Sequence, residues 1–406
     1  MIKELHINNW KSFDNSILYI DPLTIIIGTN ASGKSNILDA FLMLFRSAMG
    51  LSIQSAISGD QVTTPIRGGS EWFIRKGADD CTLSVLVDSE SKNFDYKYEI
   101  KLKRNSEKSV ELSYESLWIV AKGEKSQVKT RQLYYSVGEG SPVMVVYWYS
   151  ARQGKPKRID MNRAYSTLSQ VDKLPVLKEI KEAAAIVKSA LQDIFILDPI
   201  PSNMRDVSLL DGSLRSDAKN IAGVLAALNE AEKERVEGLL TKYLKPLPES
   251  DINKVWAEKT GLFQNYAMLY CEEGWTESQK NIVDASGMSD GTLRFLAIIT
   301  ALILGKEGSL LIIEEIDNGL HPSRAKNLVA MLKELGAQRK IDVLCTTHNP
   351  ALIDALEVEM IPFIQYINRN NETGNSQIKL LEDMEMLPKL LATYSVGELM
   401  TINKIK

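Results

Sequence analysis

The chain has 406 residues, of which 44% are hydrophobic and 25% are charged, and its formal net charge is −4. This composition is typical of a globular protein. The acidic balance argues against a protein that coats nucleic acid, although it does not exclude a local basic patch. No apolar run reaches the roughly 18 residues of a membrane helix, and Cys81, Cys271 and Cys345 form no Cys-x-x-Cys pair. We expect a cytoplasmic protein with reduced cysteines, no zinc site and no membrane partner.

The first 150 residues predict a strand-rich region around one helix. Residues 23–27 are a largely apolar run that indicates a buried strand, and apolar residues then recur at helical spacing from Ile37 to Ala48. Partial alternation of polar and apolar residues predicts further strands at 82–87, 94–100 and 110–120. The basic stretches 122–131 and 152–163 are predicted to be loops.

Between the first apolar run and the first helix, residues 28–35 read Gly-Thr-Asn-Ala-Ser-Gly-Lys-Ser and match the pattern G-x-x-x-x-G-K-[ST]. Glycines let the backbone wrap a phosphate chain with its N–H groups, and the helix N-terminus adds a partial positive charge. Lys34 can reach the β- and γ-phosphates, and the Ser35 hydroxyl can hold Mg²⁺. The sequence therefore predicts a nucleoside triphosphate site here.

The middle of the chain predicts a mostly helical insert at about 165–255. Helical periodicity runs over 175–194 and again over about 218–240, and Pro246 and Pro248 end the block. Sheet-like patterning returns at 262–271, and strands then alternate with helices.

Three later segments supply groups that a phosphate loop alone lacks. Glu314 and Glu315 follow the apolar run 310–313, where Glu314 can hold Mg²⁺ and Glu315 can polarise or deprotonate a water. His348 ends another apolar strand and can bind a γ-phosphate or that water. Ser289 opens a buried helix and offers a second anion site, although Asp290 beside it fits a plain N-cap as well.

The other two histidines are weaker candidates for a functional role. His6 fits a structural role, and His321 fits the start of a helix near Pro322.

Taken together, these segments resemble the ATP-binding-cassette ATPase head, in the branch that contains RecF, the SMC proteins and the OLD-type ATPases. The resemblance covers the chain except the helical insert. It implies an α/β P-loop NTPase head with a mixed-sheet core and an antiparallel β lobe, plus a small helical insert or lid. The domains would be 1–164 for the N-terminal part of the head, 165–255 for the insert and 256–406 for the C-terminal part.

The resemblance also implies roles for single residues. Residues 9–13 look like the N-terminal strand motif, whose basic residue, here Lys11, contacts nucleotide, and Glu315 and His348 look like the general base and the switch histidine. The implied nucleotide and metal contacts are the Walker A residues Asn30, Ala31, Ser32, Gly33, Lys34, Ser35 and Asn36, the signature residues Ser289 and Gly291, the D-loop residue Asp317, and the Mg²⁺ ligands Ser35 and Glu314.

This sequence departs from the family pattern at three points. Asp290 stands where the signature commonly has a small residue, so we expect its carboxylate to point away from the phosphates. The first Walker B acid is Glu314 rather than Asp, as is usual in the OLD-like branch. The Q-loop glutamine has no clear counterpart, with Gln54 and Gln61 as the candidates.

In this family two heads sandwich two ATP molecules, so Ser289 of one copy would bind the γ-phosphate held by the other. The leading hypothesis is a Mg²⁺-dependent ATPase that forms a homodimer or higher oligomer and gates a separate effector. It resembles stand-alone ATPases of bacterial anti-phage systems such as Septu, PARIS and some retrons, and the effector would be a nuclease of Toprim or HNH type. The alternative is a RecF-like, ATP-dependent DNA clamp that uses the basic stretches 101–104 and 155–158. A third class of function, the motor subunit of a membrane transporter, fits this sequence poorly.

Overall fold

The computed structural model describes residues 1–105, 107–123, 128–138, 143–149, 155–245, 252–274, 280–318, 324–356, 358–384 and 387–402. The strands are β1 (Ile2–Asn8), β2 (Asn15–Tyr19), β3 (Leu23–Gly28), β4 (Asp80–Asp88), β5 (Phe94–Arg104), β6 (Val110–Ala121), β7 (Arg131–Val137), β8 (Val143–Trp148), β9 (Lys157–Asn162), β10 (Ile194–Leu197), β11 (Ser208–Leu209), β12 (Ile252–Thr260), β13 (Tyr266–Glu273), β14 (Asn281–Asp284), β15 (Leu310–Ile313), β16 (Asp342–Thr347), β17 (Ile364–Arg369) and β18 (Ser376–Leu380).

The helices are α1 (Lys34–Ala48), α2 (Ile53–Ser58), α3 (Gly69–Trp72), α4 (Thr167–Gln170), α5 (Lys178–Gln192), α6 (Pro201–Met204), α7 (Ile221–Ala227), α8 (Glu230–Leu244), α9 (Asp290–Leu304), α10 (Ala325–Arg339), α11 (Pro350–Asp354), α12 (Leu387–Leu391) and α13 (Val396–Thr401). Residues 171–173 and 358–363 form 3-10 turns. Among the described residues, every helix is too short or too polar to cross a membrane.

The chain forms two compact units. The first contains residues 1–21, 27–194 and 365–380, and the second contains residues 22–26, 195–364 and 381–406. Strand β3 passes from the second unit to the first between Ile26 and Ile27.

An antiparallel sheet of eight strands dominates the first unit, in the order β2-β1-β4-β5-β6-β7-β8-β9. Along β5, Tyr98 and Ile100 are buried while Glu99 and Lys101 are half-buried, so one face packs inward and the other faces outward. The strands predicted at 82–87, 94–100 and 110–120 are confirmed.

Strand β9 corrects one prediction. Residues 157–162, within a stretch expected to be a loop, pair with β8 along its whole length, from Val143 opposite Asn162 to Trp148 opposite Lys157. β9 is the edge strand of the sheet, where charged and polar side chains are common. Its composition is therefore like that of a loop, which is why the sequence predicted one. Residues 124–127 and 152–154 of the two predicted loops lie outside the described residues.

The second unit has a parallel core. Strands β15 and β16 pair in parallel, from Leu310 opposite Asp342 to Ile313 opposite Cys345, and the strand order continues from β10 through β15 and β16 to β3. Every residue of β15 and β16 is buried, as expected of a parallel sheet covered on both faces. A second, antiparallel sheet has the order β11-β13-β12, with β14 paired to β13.

Residues 165–255 are largely helical where the structure describes them, but they do not form one body. Helix α5 packs on α1, β4 and β5 in the first unit, whereas α7 and α8 pack on β12 in the second. The compact units therefore divide the predicted insert near Ile194 and differ from the domain boundaries predicted at residues 164 and 255. The stretch predicted as one helix at 218–240 is two, because Asn229 caps a new helix by accepting from Glu232 N.

A buried carboxylate joins β6 to α4 within the first unit. The Glu115 oxygens accept hydrogen bonds from Thr167 N at 2.6 Å and Leu168 N at 2.7 Å, and from the hydroxyls of Tyr98 and Tyr134 at 3.1 Å each. Burial raises the pKa of Glu115, and the hydrogen bonds to Leu168 and Thr167 oppose that shift. Both oxygens face donors, so the group is satisfied despite its complete burial.

We predict that Glu115→Gln lowers the free energy of unfolding by about 2–4 kcal/mol. In either orientation the new NH₂ group would face a backbone N–H, of Thr167 or Leu168, and leave donors unpaired. Chemical denaturation measures the change, with the exposed Glu107→Gln as the control that should stay within about 0.5 kcal/mol of wild type. Equal stability of both variants would contradict the account of this network.

Candidate functional site

The loop between β3 and α1 closes tightly at the start of a long helix. Gly33 has φ +121° and Ala31 has φ +62°, so the backbone turns through left-handed conformations. The N-cap residue of α1 is Gly33, which has no side chain that could cap the helix. The Lys34 ammonium folds back over the loop and donates to the carbonyl oxygens of Gly28, at 2.6 Å, and Thr29, at 3.1 Å. The strand–loop–helix prediction is confirmed here.

Glycine is required at position 28 by its neighbours. A Cβ atom there would lie 2.6 Å from the Ile367 carbonyl oxygen of β17 and 2.8 Å from the Ser32 hydroxyl oxygen. The first of these is backbone and cannot swing away. The phosphate loop can therefore leave β3 along this path only because residue 28 has no side chain.

A chain of hydroxyl groups holds the loop from outside. The Ser376 hydroxyl lies 2.5 Å from the Ser32 carbonyl oxygen and 2.7 Å from the Ser12 hydroxyl, and the Asn36 amide donates to Ser12 at 2.8 Å. A carbonyl can only accept, so the single Ser376 proton goes to Ser32, and Ser12 donates to Ser376. Ser376, in β18, thus connects the far end of the chain to the loop.

The residues of this loop fit a chain of phosphates. The Ser32 hydroxyl is buried and has no hydrogen-bond partner among the described residues, which is costly unless a ligand supplies one. The helix N-terminus behind it favours negative charge, and Lys34 adds a cation. The predicted contacts Asn30 to Asn36 all lie in this loop or in the first turn of α1.

A cleft of about 500 Å³ adjoins the loop within the first unit. Ser12 and Asn36 line it, together with the cations Lys11, Arg67, Arg75, Lys76 and Arg369, and none of its lining residues is acidic. The Trp72 ring also lines the cleft and is 63% exposed. The cleft therefore suits an anionic ligand with a flat ring.

Lys11 is held more tightly than the sequence suggested. Its ammonium donates to the Asp39 carboxylate of α1 and, at 2.7 Å, to the Arg67 carbonyl oxygen, and only 6% of its side chain is exposed. Burial lowers the pKa of Lys11, although Asp39 acts in the opposite direction. Lys11 lines the cleft, but its charge is engaged with α1, so a direct nucleotide contact stays a prediction.

The Q-loop candidates take other roles. The Gln54 amide bridges the Ser58 hydroxyl and the backbone N–H of Val110, and Gln61 is exposed.

In the second unit, the carboxyl ends of β15 and β16 bring the two predicted catalytic residues together. His348 Nδ1 lies 3.9 Å from Glu315 Oε1, and each side chain is 42% exposed. Glu315 has φ +46°, which is uncommon for a residue with a side chain. The Thr346 hydroxyl accepts from the backbone N–H of Glu315 at 2.9 Å and helps to fix this turn. The pair can hold a water between a carboxylate and an imidazole.

Asp317 supports this turn rather than facing solvent. It is buried, and its carboxylate accepts from the Thr347 hydroxyl at 2.5 Å, directly beside His348. Its role as a nucleotide contact stays a prediction. Gly319 of the D-loop and His321 lie outside the described residues. Ser35 and Glu314, the predicted Mg²⁺ ligands, belong to different compact units, and their joint role likewise stays a prediction.

Ser289 caps α9. Its hydroxyl oxygen accepts from Thr292 N at 3.1 Å and lies 2.8 Å from the Thr292 hydroxyl. Gly291 is buried in the first turn of the helix. The cap bond uses a lone pair of Ser289, and when the Thr292 hydroxyl donates within the hydroxyl pair, the Ser289 proton is able to donate to an anion. Asp290 forms an ion pair with Arg205, a residue that no sequence motif indicated.

The comparisons agree on the fold. A family model described as "AAA domain, putative AbiEii toxin, Type IV TA system" matches residues 23–354. The chromosome partition protein Smc of Fusobacterium nucleatum is 28% identical over 191 residues, which are 46% of this chain and 14% of Smc. The chain thus spans about a seventh of that relative's length.

One solved structure of an Smc head is similar in fold. An Smc head bound to the C-winged helix domain of ScpA aligns with a TM-score of 0.50 and 15% identity, over 93% of this chain and 97% of that one. The SMC head domain of Thermotoga maritima aligns with a TM-score of 0.45 and 13% identity, over 93% and 98%. The α/β P-loop head predicted from the sequence is confirmed by the family match and the first of these structures.

We predict that Ser376→Ala weakens binding of MgATP about fivefold, because it removes a hydrogen bond of about 1 kcal/mol that holds the phosphate loop. Isothermal titration measures the dissociation constant. Ser47→Ala is the matched control, since Ser47 is also buried but its hydroxyl donates to the Leu44 carbonyl within α1. If Ser376→Ala bound MgATP as tightly as the control, the Ser376 link would have no role in shaping the loop.

Proposed function

Because the chain belongs to the AAA-domain family described as putative AbiEii toxin, Type IV TA system, we propose that it binds MgATP and hydrolyses it in a site shared by two copies. The observation that carries this proposal is the loop before α1, with a glycine as the N-cap of the helix, its folded-back Lys34 and its buried Ser32 hydroxyl, which has no partner among the described residues. The adjoining cationic cleft suits the nucleoside end, with Trp72 available to the base.

In the proposed reaction each residue has a distinct task. Lys34 leaves the loop carbonyls and binds the β- and γ-phosphate oxygens, and Ser35 and Glu314 hold Mg²⁺. When bound, Mg²⁺ neutralises charge that develops on the phosphates. Glu315 accepts the proton of the attacking water, and His348, 3.9 Å away, orients that water or binds the γ-phosphate.

The geometry of Ser289 favours action on a second copy. Its hydroxyl lies at the N-terminus of α9 and can donate to an anion when Thr292 is the donor of their mutual bond, so this is a second candidate anion site, separate in the sequence from the phosphate loop. We propose that this site binds the γ-phosphate held by the partner copy. ATP would then favour the dimer, because the γ-phosphate binds the closed state better than the open one.

We predict that Lys34→Ala abolishes measurable MgATP binding, and that Glu315→Gln lowers the hydrolysis rate by about 10²- to 10⁴-fold while ATP still binds. Phosphate release measures hydrolysis, and light scattering should detect an ATP-bound dimer of Glu315→Gln. Glu307→Gln is the control, since Glu307 is exposed and pairs with Lys340. Hydrolysis by Glu315→Gln at the rate of this control would remove Glu315 as the general base.

The ATPase cycle would serve as a sensor or scaffold in the cytoplasm that gates a separate effector. This step is supported by resemblance to the stand-alone ATPases of anti-phage systems, and the expected effector is a nuclease of Toprim or HNH type. Affinity purification of the Glu315→Gln variant from its native cell, with and without ATP, tests it. Recovery of one stoichiometric nuclease is the expected result, and a homogeneous protein without a partner in both states would contradict it.

A second candidate function, an ATP-dependent DNA clamp, is favoured by the outer face of the large sheet. Strand pairing aligns Glu99, Ser116, Tyr135, Tyr147 and Arg158 in one row across β5 to β9. The Tyr135 and Tyr147 rings stack with their centroids 5.0 Å apart.

Both predicted basic stretches reach this face. Arg158 lies at one end of the row, and Lys101 and Lys103 lie on the same side of β5, two and four residues beyond Glu99. Lys101 is partly neutralised by Asp80 at 2.8 Å, so Lys103 and Arg158 are the better phosphate contacts.

For the clamp, we predict that Lys103→Glu combined with Arg158→Glu weakens duplex DNA binding and reduces the slope of log affinity against log salt by about 2. Fluorescence anisotropy with a duplex, in ATP and across a salt series, measures both. Lys173→Glu with Lys178→Glu changes the net charge equally at two exposed residues of the first unit that are not part of the sheet, and serves as the control. If both pairs changed the slope equally, or neither did, the sheet face would not be the DNA site.

A further inference from the structure

The segment that carries Ser289 is held by one side chain from a distant part of the second unit. Arg205 follows the short helix α6, and its Nη1 donates to the carbonyl oxygens of Ser286 at 2.7 Å and Met288 at 2.8 Å. Its Nη2 donates to Asp290 Oδ1 at 2.5 Å. One planar guanidinium thus contacts both sides of Ser289 in the sequence.

The rest of the segment is organised through its N–H groups rather than its carbonyls. Asp284 accepts from the backbone N–H of Ser286 at 3.0 Å, and its carbonyl accepts from Gly287 N at 3.0 Å. Arg205 supplies the complementary half of the hydrogen bonding, to the carbonyl oxygens of Ser286 and Met288, and its Nη1 also lies 3.3 Å from the Ala285 carbonyl oxygen, which accepts from Met288 N within the turn. Gly287 adds backbone freedom that such an anchor would limit.

The Arg205 guanidinium also neutralises the negative charge of Asp290. A carboxylate at the first turn of α9 stabilises the helix, but it would repel a phosphate approaching Ser289. The pair with Arg205 cancels that charge and turns the carboxylate toward α6. Since Asp290 is 64% exposed, the pair adds little to stability by itself, and its effect concerns the local field and the position of the segment.

We propose that Arg205 is a positioning residue for the site around Ser289: it fixes the 285–290 segment and neutralises Asp290, so that the Ser289 hydroxyl can receive the γ-phosphate of the partner copy. This inference rests on the proposed function. It also accounts for the acidic residue in the signature, because Asp290 is tolerated where Arg205 faces it.

The test compares Arg205→Ala and Arg205→Lys in MgATP binding, ATP-driven dimerisation in the Glu315→Gln background, and hydrolysis. Arg205→Ala should keep the wild-type dissociation constant within about twofold, since the phosphate loop is intact, but lose dimerisation and about 10- to 100-fold in turnover. Arg205→Lys should recover only part of this loss, because an ammonium lacks the planar fork. Arg215→Ala, an exposed arginine paired with Asp211, is the control.

A double variant separates positioning from general damage. Asp290→Asn should restore part of the turnover that Arg205→Ala loses, because it removes the unpaired charge, whereas a merely structural loss would not respond. Wild-type turnover of Arg205→Ala, or no gain from Asp290→Asn, would overturn the inference. That failure is distinct from failure of the proposed function, in which Lys34→Ala and Glu315→Gln would also hydrolyse ATP normally.

Discussion

The tight turn from β3 into α1 is the constraint on which the rest of the site depends. A buried strand must end, reverse and start a helix within a few residues, and the Ile367 carbonyl leaves no room for a side chain at residue 28. The turn is then held from outside by Ser376 and Ser12. The result is a rigid cradle whose buried Ser32 hydroxyl and helix N-terminus are satisfied best by an anion.

In the second unit, the candidate catalytic residues lie at the carboxyl ends of two neighbouring strands. Parallel pairing of β15 and β16 brings their carboxyl ends to one edge. Glu315 and His348 meet there, supported by the hydroxyl of Thr346 and by the bond between Thr347 and Asp317. Ser289 and its anchor Arg205 lie in the same unit and form the proposed second anion site. The proposed reaction shared between two copies requires both a hydrolytic pair and a phosphate-binding serine in one chain.

The sequence alone was sufficient to predict the strands and the helix next to the motifs. The apolar runs of β3 and β15 and the helical period of α1 are set by burial, so their residues reveal them. Strand β9 was missed because an edge strand can be as polar as a loop. The single long helix expected at 218–240 was interrupted by a capping residue, Asn229, whose effect depends on geometry rather than composition.

The supporting residues could not be predicted for a different reason. Ser376 acts on a loop more than 340 positions earlier, and Arg205 on a segment 80 to 85 positions later. Neither belongs to a recognisable pattern, and their hydrogen bonds arise only in the folded chain. The pairing of Lys11 with Asp39 was hidden similarly, because nothing in the motif reports that the lysine is buried.

The central claim, that two copies complete one another's site, is tested most directly by mixing two inactive variants. Lys34→Ala removes the lysine of the phosphate loop. Ser289→Arg replaces the signature serine, which would act on the ATP held by the other copy. A mixed dimer would contain one composite site with both halves intact. The account predicts that each variant alone is inactive and that mixing them restores ATP hydrolysis in proportion to mixed dimers. Activity of Ser289→Arg alone, or no recovery on mixing although mixed dimers form, would contradict it.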